Sequence, residues 1–389
     1  MADGTGRPLV TFYVITYNQS RFVREAVESA LAQTYSPLEI VLSDDCSQDD
    51  TFEIIQETAK RYSGPHTVIL NRNERNLGLS EHLNRIIELA SGELIVAADG
   101  DDVSSPHRTE RCVDVWLKNG RPAALASSVS CIDAAGNASR TRDGRQWFAQ
   151  FFAGENEPRV DSLLRFSRGG SPRLVSCSAA WTKELCVAFG PLSPDIWFED
   201  DVLTLRAWLF DRIVFIPEAL VSYREHDSNL FNRVQPPLTT LQARQSAEQA
   251  TRTEAQRRRE SLLSYAADLD LAVRRRWITR SLYREVKEQV EARCALHRAV
   301  EDWWNVAWLM RFSLLLFLVR YGGMHEGRWC SARMVPFPIF LVLGAIWSRT
   351  RSSIALPSLA RSATSADCRR WTSLERARQA FMLWKADRS

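Results

Sequence analysis

Four short apolar runs punctuate the first hundred residues, at 9–15, 38–42, 67–70 and 94–98, and each reads as a buried strand. The segments between them carry helical spacing. Phe22, Ala26, Val27, Ala30 and Leu31 recur on one face of a helix predicted over 21–33, with Asn18 or Ser20 as its cap. Further helices are expected at 52–62 and in a segment ending near Ala90, where Gly92 closes it. Strands alternating with helices leave few topologies. They imply βαβ units, right-handed crossovers and an α/β fold with a mostly parallel sheet. No G-x-G-x-x-G follows the first strand, which argues against a dinucleotide site.

In open α/β sheets ligands bind beyond the carboxyl ends of the strands. Polar residues gather at those ends here: Thr16-Tyr17-Asn18 after the first run, Ser43-Asp44-Asp45-Cys46-Ser47 after the second, and Asp99-Gly100-Asp101-Asp102 after the fourth. Carboxylates that close repel one another unless a cation lies between them. A hard divalent ion, Mg²⁺ or Mn²⁺, suits oxygen ligands of this kind. The plainer alternative is an acidic turn capping the next helix, which Pro106 helps to start. The carboxylates after the second strand could grip a base or a ribose, or form a solvated turn.

Downstream, a helix is expected over 108–118, stopped by Gly120, then a strand over 123–132. Residues 140–171 read as irregular. Their Trp147, Phe148, Phe151 and Phe152 form either an acceptor-binding insert or a satellite packing patch. A strand over 174–181 precedes Trp197-Phe198-Glu199-Asp200-Asp201, which opens a helix running to Phe210. Residues 213–217 and 219–223 read as two closing strands.

The order and spacing of these segments resemble family 2 glycosyltransferases of the GT-A fold. The resemblance rests on Ser29-Ala30-Leu31-Ala32-Gln33-Thr34-Tyr35, Ser43-Asp44-Asp45-Cys46-Ser47, Asn76-Leu77-Gly78, Asp99-Gly100-Asp101-Asp102 and Tyr223-Arg224-Glu225-His226. It implies a GT-A domain over roughly 1–230. Thr16, Tyr17, Asn18, Asp45, Asn76, Gly78 and Asp99 would bind a nucleotide-sugar donor, with Asp45 on the base. Asp99, Asp101 and His226 would hold Mn²⁺ or Mg²⁺. Asp200 would be the general base for an inverting transfer to a glycan or lipid-linked acceptor. Two departures stand out: Cys46 and Asp50 occupy positions where the family often has glycine. A positive φ would be strained at Cys46, so the turn is expected to differ in detail.

Charge divides the chain. The formal net charge is −10 over residues 1–230 and +13 over 231–389. The acidic first part disfavours nucleic acid as a partner. The second, a basic helical region, suits an anionic membrane surface. It contains Arg257-Arg258-Arg259, Arg274-Arg275-Arg276 and apolar runs at 303–319 and 335–347, neither long enough and clean enough to span a bilayer. Interfacial helices or the core of a C-terminal subdomain both fit. With no secretory signal, the expectation is a cytoplasmic protein, peripheral on the inner membrane face. Two other functions compete. A nucleotidyltransferase would want a basic phosphate loop near the first strand, where 16–20 has none. A non-catalytic sugar-nucleotide binding module would not need Asp99, Asp101 and Asp200 together.

Overall fold

The computed structural model describes residues 6–139, 143–152, 157–229 and 241–302. The chain divides into two compact units, one of Met1–Val234 with Glu260–Val290 and the other of Gln235–Arg259 with Glu291–Ser389.

The first unit opens with β1 (Val10–Thr16), α1 (Val23–Leu31), β2 (Leu38–Asp44), α2 (Thr51–Lys60), β3 (Thr67–Arg72), α3 (Leu79–Leu89) and β4 (Leu94–Asp99). These strands are parallel and ordered β3-β2-β1-β4. In their register Thr16 lies opposite Asp44, and Ile15 opposite Asp99, so three loops leave the sheet at one level. The chain departs from β1 in one direction towards β2 and returns on its other side at β4, which makes a crevice at that edge. Phe12, Val14, Ile40, Leu42, Val96 and Ala98 form one continuous core beneath it with Val23, Val27 and Trp116. β1, β2 and β4 are covered on both faces, hence their unbroken apolar runs.

The unit continues with β5 (Val103–Ser104), α4 (Arg108–Lys118), β6 (Ala124–Asp133), α5 (Gly144–Ala149), α6 (Arg159–Ser167), β7 (Ala179–Thr182), α7 (Lys183–Phe189), α8 (Glu199–Phe210) and β8 (Ile213–Glu225). Here the sheet becomes mixed. β7 is antiparallel to β4 and β6, β8 is parallel to β6, and β5 is antiparallel to β8, giving eight strands in the order β3-β2-β1-β4-β7-β6-β8-β5.

Several expectations are corrected. The two closing strands are one, β8, because Pro217 sits at a register shift against β6 that absorbs its missing N–H. The expected strand over 174–181 is half a 3₁₀ turn, Ser176–Ser178, leaving only β7 extended. Among the described residues of 140–171 the chain is not all irregular. They contain α5, capped by the Asp143 carboxylate on the Arg145 and Gln146 N–H groups, and α6. Phe148 and Phe152 are packing residues, both buried, with the Phe152 ring stacked 3.8 Å from Phe215 of β8. The side chain of Trp147 lies outside the described ones.

Two long helices complete the described chain, α9 (Leu241–Arg274) and α10 (Arg280–Asp302). The part of α9 after Glu260 belongs to the first unit, where Leu262, Tyr265 and Leu269 are buried. Asp268 makes a paired contact with Arg206 of α8 there, Oδ2 to Nε at 2.8 Å and Oδ1 to NH2 at 3.3 Å, both side chains almost wholly buried. Within the second unit, Arg259 of α9 pairs with Glu301 of α10 at 2.6 Å. No described helix is long and apolar enough to cross a membrane. The apolar runs at 303–319 and 335–347 lie outside the described residues.

Candidate active site

The loop after β1 is built by its neighbour after β2. Thr16 is buried, its hydroxyl against Ser43 O and the Asp44 carboxylate. Asn18 takes a left-handed φ of 52°, which asparagine tolerates, and its Oδ1 accepts the Gln48 N–H at 2.8 Å. Neither Asn18 nor Ser20 caps α1, which begins after Phe22 with no side-chain cap. Asn18 instead ties the two loops together, assisted by its N–H on Ser47 Oγ. Tyr17 projects from this tie, 46% exposed.

Cys46 adopts φ 61°, the conformation expected of a glycine. The turn therefore keeps its shape and carries the strain. Asp44 is fully buried and takes the Ser47 N–H and hydroxyl. Asp45 turns the other way. Its Oδ1 accepts from Asn73 Nδ2 and the Leu77 N–H, and its Oδ2 from the Gly78 N–H, all at 2.8–2.9 Å. Three of about four carboxylate lone-pair positions are thus used to hold the 73–78 loop, leaving one for a ligand. Asn76 closes the same loop, its Oδ1 on the Gly78 N–H. Gly78 sits at φ 78°, and α3 starts directly after it.

The acidic turn after β4 lies beside the first loop. A side chain at Gly100 would meet Gln19 and Thr16, its Cβ only 2.6 Å from Thr16 Cγ2, so only glycine allows this approach. Asp99 is half-buried at the strand end. Asp101 Oδ2 stands 3.0 Å from His226 Nε2, whose Nδ1 faces Ser228 Oγ at 2.9 Å. Asp102 points inward. Its Oδ1 accepts the Arg224 N–H at 2.8 Å, while Oδ2 is buried and the Cys177 thiol lies beside the carboxylate. Ligand atoms of Asp99, Asp102 and the buried Cys177 lie within 4.8 Å of one another.

These groups repel one another. Burial and the charges of Asp101 and Asp200 push the Asp99 carboxyl up to about 7, against a partial offset from Arg108. Asp102 is driven well above the usual carboxylate range by burial, then by Asp101 and Asp99. Hard oxygen donors crowded together and raised by mutual repulsion fit a divalent cation.

α8 opens with three acidic residues that the fold sends to different places. Glu199 is buried against Ser176 Oγ, at 2.8 Å, and burial, then the Asp200 charge, pushes its carboxyl well above the usual range. Asp201 pairs with Arg173 at 3.3 Å. Asp200 is half-buried, its Oδ1 held by the Asp201 N–H at 2.8 Å, and its charge acts on Asp99. The loop before α8 is pinned to α3 by Ser80 on Ile196 O and by Asn84 on Leu192.

The structure thus gathers Thr16, Tyr17, Asn18, Asp99, Asp101, His226 and Asp200 around one edge of the sheet, with Asp45, Asn76 and Gly78 forming the adjoining loop. Sequence reasoning missed Cys177, buried within a stretch read as strand, and the role of Arg224, seen only as part of a motif.

Residues 11–182 match the model of Glycosyl transferase family 2. A chondroitin synthase of Escherichia coli is 35% identical over 130 residues, 33% of this chain and 18% of that protein. A glucosyl-dolichyl phosphate glucuronosyltransferase of Haloferax volcanii is 32% identical over 122 residues, 31% of this chain and 38% of that protein. Each match spans less than half the length of the relative. Among solved structures, S. aureus TarS 1–349 superposes with a TM-score of 0.51 at 16% identity, covering 80% of this chain and 81% of that one. That likeness concerns the fold alone, which is GT-A, as expected from the sequence.

Proposed function

Because residues 11–182 belong to glycosyl transferase family 2, we propose that this chain transfers a sugar from a nucleotide-diphosphate donor to an acceptor hydroxyl, with inversion. The observation that carries the proposal is the separation of roles at the start of α8. Glu199 is held by Ser176 and Asp201 by Arg173, while Asp200 is half-buried, with its Oδ1 on the Asp201 N–H and its charge acting on Asp99 of the acidic turn.

The donor lies along the crevice between β1 and β4. Asp45 accepts a hydrogen bond from a base N–H or a ribose hydroxyl on its remaining lone pair, beside the Thr16–Asn18 loop. Asp99, Asp101 and His226, with Asp102 behind them, would hold Mn²⁺ or Mg²⁺. Such an ion, when bound, neutralises charge on the departing nucleotide diphosphate. Asp200 accepts the acceptor hydroxyl proton as that oxygen bonds to the anomeric carbon. The bond from that carbon to the diphosphate oxygen breaks on the opposite face, so one displacement inverts the centre.

The relatives' names give chondroitin as the product of one and glucosyl-dolichyl phosphate as the acceptor of the other, which supports an acceptor that is a growing glycan or a lipid-linked sugar. The +13 charge of residues 231–389 supports peripheral attachment to an anionic cytoplasmic membrane face. Co-flotation of the full chain with anionic vesicles, weakened by salt, is the expected result. A chain unbound at low salt refutes the attachment. The activity itself is tested by screening nucleotide sugars with Mn²⁺ for released nucleotide diphosphate. Release from at least one donor is expected, and binding without release from any donor would leave a binding module instead.

A further inference from the structure

Arg224 has no task in the reaction just described, yet its side chain is fully buried, a costly position for a permanent charge. Its partners explain the cost. Nε donates to the main-chain carbonyl of Asp101 at 2.8 Å, and one terminal nitrogen donates to Glu25 Oε2 at 2.8 Å. Its own N–H holds Asp102 Oδ1. One residue therefore grips both Asp101 and Asp102, and Glu25 anchors it to α1, the helix that follows the Thr16–Asn18 loop.

The surroundings converge on the same point. Two residues along, His226 meets Asp101. Asn229 closes the turn after β8, accepting the His226 N–H at 2.6 Å and donating to Arg224 O at 3.0 Å. The Phe22 ring underlies both, 5.2 Å from the guanidinium carbon and 4.5 Å from the His226 ring. The pairing of β5 with β8, Val103 opposite Ser222, brings the strand alongside the acidic turn.

We propose that Arg224 is a positioning residue: its guanidinium fork locks the Asp101–Asp102 backbone to Glu25 of α1, setting the metal-binding carboxylates at a fixed distance from the donor loop. The inference rests on the metal reading given above. The fork reaches two partners in different directions from one rigid plane, which a lysine ammonium cannot reproduce.

The test measures Mn²⁺ binding to the full chain by loss of the free-ion EPR signal, alone and with UDP as an added probe. Arg224→Lys should weaken Mn²⁺ binding about 10–100-fold, the usual cost of losing a residue that orients a ligand. Glu25→Gln should weaken it by more than about twofold in the same direction. Glu25 is 56% exposed, so that variant keeps its fold, and unfolding temperatures monitor both. Wild-type affinity in Glu25→Gln, or in a folded Arg224→Lys, overturns the inference while leaving the metal site standing. If the wild-type chain itself binds no Mn²⁺ at millimolar concentration, the metal reading falls and this inference with it. Loss of Mn²⁺ affinity without loss of fold supports it, because a purely structural role would move the unfolding temperature and not the affinity.

Discussion

Replacing Asp45 with asparagine removes one charge and one acceptor from the carboxylate that holds the 73–78 loop. The amide can turn its oxygen towards Asn73 Nδ2 and the Leu77 N–H, keeping two bonds. Its NH₂ then faces the Gly78 N–H, and that bond is lost. A hydrogen bond to a charged group contributes about 1.5–3 kcal/mol, and the two surviving bonds weaken when the charge goes. The expected loss is about 3 kcal/mol. For a unit of this size that lowers the unfolding temperature by roughly 6–12 °C. Thermal unfolding followed by circular dichroism reads the shift. Donor affinity should fall as well, since the loop and one remaining lone pair both border the donor crevice. An unfolding temperature within roughly 2 °C of the wild type, with only donor affinity reduced, would refute the reasoning. Asp45 would then act on the nucleotide alone, and the loop would be held by other means.

His82 of α3 is buried against Ser43 Oγ at 2.7 Å, and burial lowers its pKa to about 4 against the opposing pull of Asp45 and Asp44. Its folded pKa lies below the unfolded value of about 6.5, so the unfolded chain takes up the proton first, and stability is lost as pH falls from about 6.5 to about 4, by about 3 kcal/mol. Urea midpoints across that range should fall in the wild type and flatten in His82→Asn; parallel profiles would sink the assignment. Asp268→Asn strips the carboxylate from Arg206 and leaves a buried guanidinium with the Gly190 carbonyl, which should cost about 3–5 kcal/mol in denaturant unfolding. A change under about 1 kcal/mol would show that water reaches the pair.

The first half of the fold was legible because each of its strands is a short apolar run and each helix a periodic one. Direction was not. A run such as 179–182 looks the same parallel or antiparallel, and only its position between β4 and β6 decides. Pro217 suggested a break between two strands, whereas the sheet accommodates it as a register shift. Residues 140–171 looked irregular because α5 is too short to show a period, although Asp143 before it was a visible cap. In the site, residue types announced the chemistry, but spacing could not say which carboxylate faces where. Asp44 and Asp45 are neighbours that point to different loops, and Glu199, Asp200 and Asp201 have three separate partners. Cys46 shows the reverse: a residue expected to reshape its turn takes the glycine-like conformation instead.

The central claim is that Asp200 takes the acceptor proton in a cleft whose other wall is the Asp99–Asp102 turn. It is tested most directly by comparing wild type with Asp200→Asn on whichever donor the nucleotide-sugar screen identifies, measuring donor binding and nucleotide diphosphate release on the same samples. The exchange preserves volume, so donor binding and unfolding temperature should stay near wild type while release slows by about 10²–10⁴-fold, the usual worth of a general base. Release at the wild-type rate, or loss of donor binding with turnover otherwise intact, would contradict the assignment and leave Asp200 a residue of the helix start.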